Sequence, residues 1–206
     1  MKPVSRLLSL LVLPVAFVVL LGIACEGSSA PDRAWDRGTF QRMDQNVKDY
    51  TLPAGITIDS MYAADTSLPD AGQPLQMQVS NSNAGNTEVK FPAGLVFSSS
   101  NADYEYMMLL KDFSFTANSG VTSGILVPTY GCNEDSLDAP DDESFYDLGW
   151  LENDKETKEL FDLVANKTID SDDKIDLLQQ ALDEITGPDY PDGLTDSTRQ
   201  ALKDLP

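Results

Sequence analysis

The sequence contains no histidine, and among its 206 residues only 14 are Lys or Arg against 34 Asp or Glu, a formal charge of −20. Without His there is no Ser–His or Cys–His nucleophile relay, no His-ligated zinc and no imidazole pH switch. The shortage of cations excludes a nucleic-acid binder, because counterion-release binding needs clustered Lys and Arg and so acidic a surface repels polyphosphate. Cysteine is nearly absent too: Cys25 and Cys132 allow one disulfide at most. What is present, 41% apolar and 8% aromatic residues, suffices for a packed core and excludes wholesale disorder. The length fits one ordinary domain or two small ones.

After Lys2 and Arg6 no charge occurs until beyond Cys25, and Leu7 to Leu21 is nearly all apolar, as in the basic and hydrophobic regions of an export signal. The segment ends in Gly22-Ile23-Ala24-Cys25, which resembles the lipobox of bacterial lipoproteins. Gly22 stands where that family usually has Leu, Val or Ile. The resemblance implies that Cys25 receives a diacylglyceryl group and becomes the mature N-terminus, with 1–24 removed as a signal peptide. The body would then sit in the bacterial cell envelope, exported and membrane-anchored by lipid. Two other readings stay open: ordinary cleavage after Ala24, and retention of the uncharged stretch from Leu7 to Cys25 as a membrane anchor. Cleavage after Ala24 removes Lys2 and Arg6 and no acid, leaving −22. Anionic headgroups would repel that body, so attachment would rest on buried acyl carbon, at about 0.8 kcal/mol per CH₂.

Residues 25–49 read as a flexible tether, polar and without apolar periodicity. From Tyr50 the pattern alternates. Ile56 and Ile58, then Leu75, Met77 and Val79, are separated by polar residues, as in strands with one buried face. Ser80 to Asn86 is a turn by composition. Val89 and Phe91 resume the alternation, Pro92-Ala93-Gly94 interrupts it as a bulge or edge position, and Leu95 and Phe97 restart it. Tyr104, Tyr106, Met108 and Leu110 form one stripe and Phe113 and Phe115 the next, with a last strand from Gly120 through Ile125 and Val127 to Tyr130. Short strands at this spacing predict an immunoglobulin-like antiparallel β-sandwich over 50–148, with a barrel as the alternative.

The acidic run from Glu134 to Glu143 is expected to end the sheet region, and beyond Trp150 the period becomes helical. Leu160, Phe161 and Val164 mark one helix. Ile175, Leu178, Leu182 and Ile185 mark a second, with Asp170 as N-cap and Gly187-Pro188 as its stop, and a third is expected from Asp196 to Lys203. The fold class is therefore mainly β with a helical C-terminal part, the sandwich being followed by a small α-helical subdomain over 149–206.

Asp138, Asp141, Asp142 and Glu143 are weak calcium candidates, as clustered carboxylates supply hard oxygen ligands. Asp170-x-Asp172 hints at the same, but Lys174 and Ile175 occupy the places where a calcium loop wants Asp or Asn and then Gly. Solvated charge is the better reading of both. Ser171-x-x-Lys174 matches a penicillin-recognising signature without its partner motifs and is rejected.

Cys132 is the sharper signal. With Cys25 lipidated it is an unpaired thiol in an oxidising compartment. The ordinary reading is a small buried hydrophobe closing the last strand. A further one comes from Tyr130-Gly131-Cys132 and Leu178-Gln179-Gln180-Ala181-Leu182, which are similar to the Cys and Gln motifs of the thioester domains of bacterial surface adhesins. That resemblance implies a thioester between Cys132 and Gln179. Helical geometry puts Gln179 on the flank of the apolar stripe and turns Gln180 away from it.

These readings favour a lipid-anchored envelope protein with a non-catalytic binding or structural role. It would need no cofactor, and its partners would be the membrane and a protein or envelope polysaccharide. The alternatives are a covalent adhesin using Cys132 and Gln179, or a hydrolase working through carboxylates.

Overall fold

The computed structural model describes residues 49–65, 68, 72–100, 104–132, 145–152, 154–187 and 193–206. Among them the fold is mostly β, with nine strands in three antiparallel sheets and three helices, and none of the sheets closes into a barrel. β1 (Ile56–Ala63), β2 (Leu75–Asn81) and β7 (Thr122–Val127) form one sheet in the order β1-β2-β7. β3 (Thr87–Phe91) pairs with β6 (Phe113–Ala117). The third sheet runs β8-β5-β4-β9, from β8 (Tyr130–Cys132), β5 (Tyr106–Met108), β4 (Leu95–Ser99) and β9 (Tyr146–Leu151).

Alternation decides which side chains meet. In β2, Leu75, Met77 and Val79 are sealed while Gln76, Gln78 and Ser80 are only half-buried, as a strand with one apolar face requires. These residues share a core with Val89 and Phe91 of β3, Leu95 and Phe97 of β4, Met107 of β5 and Val127 of β7, so all three sheets converge on it. Phe91 meets Phe97 edge-on at 6.0 Å, linking the two-stranded sheet to the four-stranded one.

The opposite face of the four-stranded sheet builds a second core. Val96, Met108, Tyr130, Cys132 and Trp150 pack there with Leu160 and Val164 of α1 (Lys155–Val164), with Leu178, Ala181, Leu182 and Ile185 of α2 (Asp172–Thr186), and with Leu202 of α3 (Asp196–Asp204). Each fully buried Leu or Ile contributes about 1.5–3 kcal/mol. The buried apolar residues of the helices lie in this shared cluster. Asp154 caps α1 by accepting Glu156 N–H and Thr157 N–H, both at 2.8 Å. Glu184, 1% exposed, ties α2 to the start of α3 by accepting Thr195 N–H at 2.7 Å and the Thr198 hydroxyl at 2.5 Å.

β9 serves both cores through a bulge. Leu95 pairs with Leu151 and Phe97 with Leu148, so Gly149 and Trp150 of β9 oppose the single residue Val96 of β4. Leu148 and Leu151 therefore face the inter-sheet core while Trp150 faces the helices. The extra residue is accommodated at Gly149, where a Cβ would lie 2.8 Å from Val96 O.

Several local expectations need correction. Pro92-Ala93-Gly94 is no bulge within one strand but the corner between two sheets, closed by Leu95 N–H donating to Pro92 O at 3.2 Å. Gly94 takes φ +83° there, and a Cβ would stand 2.3 Å from Glu152 O. The strand expected to run to Tyr130 divides at Pro128 into β7 and β8, which belong to different sheets. The acidic run does not end the sheet region, since β9 follows it, and the expected boundary at 148 falls inside β9. Asp49, placed in the tether, bridges Trp150. The N-cap of α2 is Ser171, while Asp170 pairs with Lys174.

Candidate functional site

The two segments singled out around the thiol meet in the fold. β8 is an edge strand, and β5 takes one side of it: Tyr106 pairs with Cys132, Met107 with Gly131 and Met108 with Tyr130. α2 covers the other side. The side-chain amide of Gln179 donates from Nε2 to Gly131 O at 2.8 Å, and its Oε1 accepts Gly131 N–H at 3.2 Å. Nε2 also donates to Asp183 Oδ1 at 2.9 Å, one helical turn on. A carboxylate accepts and cannot donate, so Asp183 fixes which end of the amide carries the protons. Gln180 instead reaches Glu184 and Thr198.

Cys132 itself is fully buried in the helix-side core beside Tyr130 and Leu182. Burial pushes its thiol well above the ordinary 9.0, and the carboxylates of Glu105, Asp183 and Glu152 push the same way. The thiolate is the nucleophilic form of cysteine, and these surroundings suppress it. Glu105, 4% exposed, occupies the space where Gly131 has no side chain: a Cβ on Gly131 would stand 1.9 Å from Glu105 Oε2.

The arrangement thus brings Gln179 to the residue next to Cys132, with the amide engaged by Gly131 and Asp183. Gly131, Glu105 and Asp183 were not singled out from the sequence. A Gly inside a strand is the signal that could have found the first, since it marks a close approach. The spacing of four from Gln179 could have found Asp183. Glu105 falls between two tyrosines in the alternating stripe, and nothing in the sequence distinguishes it from an outward-facing acid.

The remaining candidates separate. Cys25, Asp138, Asp141, Asp142 and Glu143 lie outside the described residues. Lys174 Nζ donates to Asp170 Oδ1 at 2.5 Å and to Thr168 O at 3.2 Å, so its ammonium is engaged away from Ser171. Among the described residues no group of three His, Cys, Asp or Glu side chains is arranged to hold a metal ion, and no helix is long and apolar enough to cross a membrane. Comparison with known proteins finds no matching family model, no matching curated protein and no matching solved structure.

Proposed function

We propose that this chain is an exported bacterial cell-envelope lipoprotein, anchored through Cys25, whose body has a non-catalytic binding or structural role. In this reading its sheets form an immunoglobulin-like sandwich followed by a small helical subdomain. The address rests on the apolar run closed by Ala24-Cys25. The observation that carries the non-catalytic role is the burial of Cys132, whose thiol is held protonated where a nucleophile would need to ionise.

A second reading has its own support: the contact of Gln179 with Gly131, beside Cys132, favours a covalent adhesin. Its thioester would form by attack of the Cys132 sulfur on the Gln179 amide carbon. The C–N bond breaks, and ammonia leaves with the thiol proton. One measurement tests both readings, the intact mass of protein extracted from membranes. A chain beginning at Cys25 and carrying acyl groups is expected. A mass about 17 Da lower reports the acyl-sulfur link. A mass matching the uncleaved chain, or one starting at Cys25 without lipid, overturns the anchor.

A further inference from the structure

Every sheet ends in two edges, and this chain guards its edges unequally. β8 is covered by Gln179 of α2, and β9 is bridged on its outer side by Asp49. β1 carries the exposed Asp59 and a register shift between Ile58 and Ser60, and Phe145 bridges it at Tyr62. β3 carries the exposed Glu88 and Lys90, and its Lys90 O accepts the Tyr50 hydroxyl at 2.8 Å. Charge, bulges and cover are the means by which proteins keep sheet edges from pairing with one another. β6 is closed at one end, where Asn81 Nδ2 donates to Ala117 O at 2.8 Å. β7 has none of these guards. It pairs with β2 through six consecutive positions without a register shift, holds no charge and no Pro, and among the described residues no backbone or side chain pairs with its outer side. The sequence marks the same place: from Phe113 to Asn133 no residue is charged, the longest uncharged run in a chain of which 23% is charged. Val121, at the start of β7, is 51% exposed, and Ile125 faces the inter-sheet core opposite Met77 yet is only half-buried.

We propose that β7 is the interface between two copies of this chain, joined edge to edge and antiparallel about a two-fold axis, so that β1-β2-β7 of one copy continues into β7-β2-β1 of the other. Charge selects the occupant. Two bodies of −20 repel each other wherever carboxylates face carboxylates, so they can approach only along an uncharged strip, and β7 lies in the longest one. A basic partner would find no carboxylate on this strand to pair with. Symmetry supplies the rest. In an antiparallel ladder alternate residues turn their N–H and C=O groups outward, and a strand laid beside its own copy meets each outward donor with a matching acceptor over the same length. The second strand would also cover Val121 and the open flank of Ile125. One added ladder of this length buries at most about the 1,000 Å² of a stable interface, so the dimer is weak and forms where copies are concentrated.

The pairing does not depend on the lipid anchor, since anchored and free copies carry the same strand. The test is sedimentation velocity of the purified full chain in density-matched detergent, at about 5 and 500 μM protein and about 50 and 500 mM NaCl, between which the screening length falls roughly threefold. A monomer–dimer equilibrium is expected that tightens about tenfold or more with salt, the opposite of an interface held by ion pairs. Hydrogen exchange of the same samples should slow at the backbone amides of β7 in the concentrated one and stay unchanged in β3. Gly124→Lys puts a charge from each copy at the seam, and its Cβ has room, the nearest atom being Gln78 Nε2 at 3.4 Å. It should weaken the dimer about tenfold or more and keep the melting temperature, while Thr116→Lys, at an exposed position of β6, should leave the dimer intact. If Gly124→Lys fails to fold, the exchange pattern of the unaltered chain decides. A chain that stays monomeric at the higher concentration in both salts, a dimer that loosens with salt, or slowed exchange confined to another edge overturns the proposal. So does a dimer indifferent to a folded Gly124→Lys, which would report only two chains sharing a micelle.

Discussion

Gln179 and Gly131 are joined as two neighbouring strands would be, side-chain amide to backbone amide, by one hydrogen bond in each direction at 2.8 and 3.2 Å. Among the described residues β8 has strand partners only on its β5 side. A sheet edge left open exposes N–H and C=O groups that must be satisfied elsewhere. At Gly131 a helix supplies the missing strand with one residue.

Replacing Gln179 with Leu therefore removes both bonds while keeping the volume near the core. A loss of about 1–3 kcal/mol in urea denaturation is expected, from the buried donor and acceptor left behind. Gln179→Glu should be worse at neutral pH, since a carboxylate cannot donate to Gly131 O and lies beside Asp183. That like charge raises the new carboxyl above its unfolded value of about 4.3, so the penalty is complete above the raised folded value, shrinks as pH falls through it, and is gone below about 4.3. A variant as stable as the original at pH 7 would count against the pairing.

Gly131→Ala should be among the costliest single-methyl changes in the chain. The new Cβ would stand 1.9 Å from Glu105 Oε2, and that carboxylate, 4% exposed, would have to be driven from its buried place. A loss of about 3 kcal/mol or more is expected, read as a fall in melting temperature of roughly 6–12 °C. Gly85→Ala, where a Cβ meets nothing within 4 Å, should change stability by less than about 0.5 kcal/mol.

Cys132 should resist alkylation in the folded protein and react once unfolded, because only unfolding lets the thiol ionise near its ordinary 9.0. The raised folded value has a definite sign: its contribution to stability is complete below pH 9.0 and is lost as pH rises beyond it, where the unfolded chain releases a proton that the folded chain keeps. Cys132→Ala should cost about 1–2 kcal/mol at pH 7 and show a shallower decline in alkali. Equal slopes in a pH series of denaturation curves would refute the assignment.

The strands were legible wherever one face alone is buried. Leu75, Met77 and Val79 announced β2, and the stripe of Leu178, Leu182 and Ile185 announced α2 in the same way. β9 was hidden because its bulge breaks the alternation: Leu148 and Trp150 are two apart yet face opposite cores. The division between β7 and β8 was hidden for another reason. Pro128 stops one sheet and the next begins at Tyr130, so the apolar run continues while the pairing partner changes. At the candidate site, helical geometry separated Gln179 from Gln180. The acid packed against Gly131 depends on which strand neighbours β8, and pairing of that kind is set by tertiary structure.

The pairing of Leu95 with Leu151 and of Ser99 with Tyr146 also sets a timetable. β4 lies inside the finished sheet, yet its partner on one side arrives only after the intervening strands and the acidic run have been made. Closing so long a loop costs entropy before any contact repays it, and sheets built from distant segments fold slowly for that reason. Until Tyr146–Leu151 docks, β4 is itself an edge, with one row of backbone donors and acceptors open. The interval before β9 arrives is thus the period in which a second unfinished copy of the chain competes for the same strand.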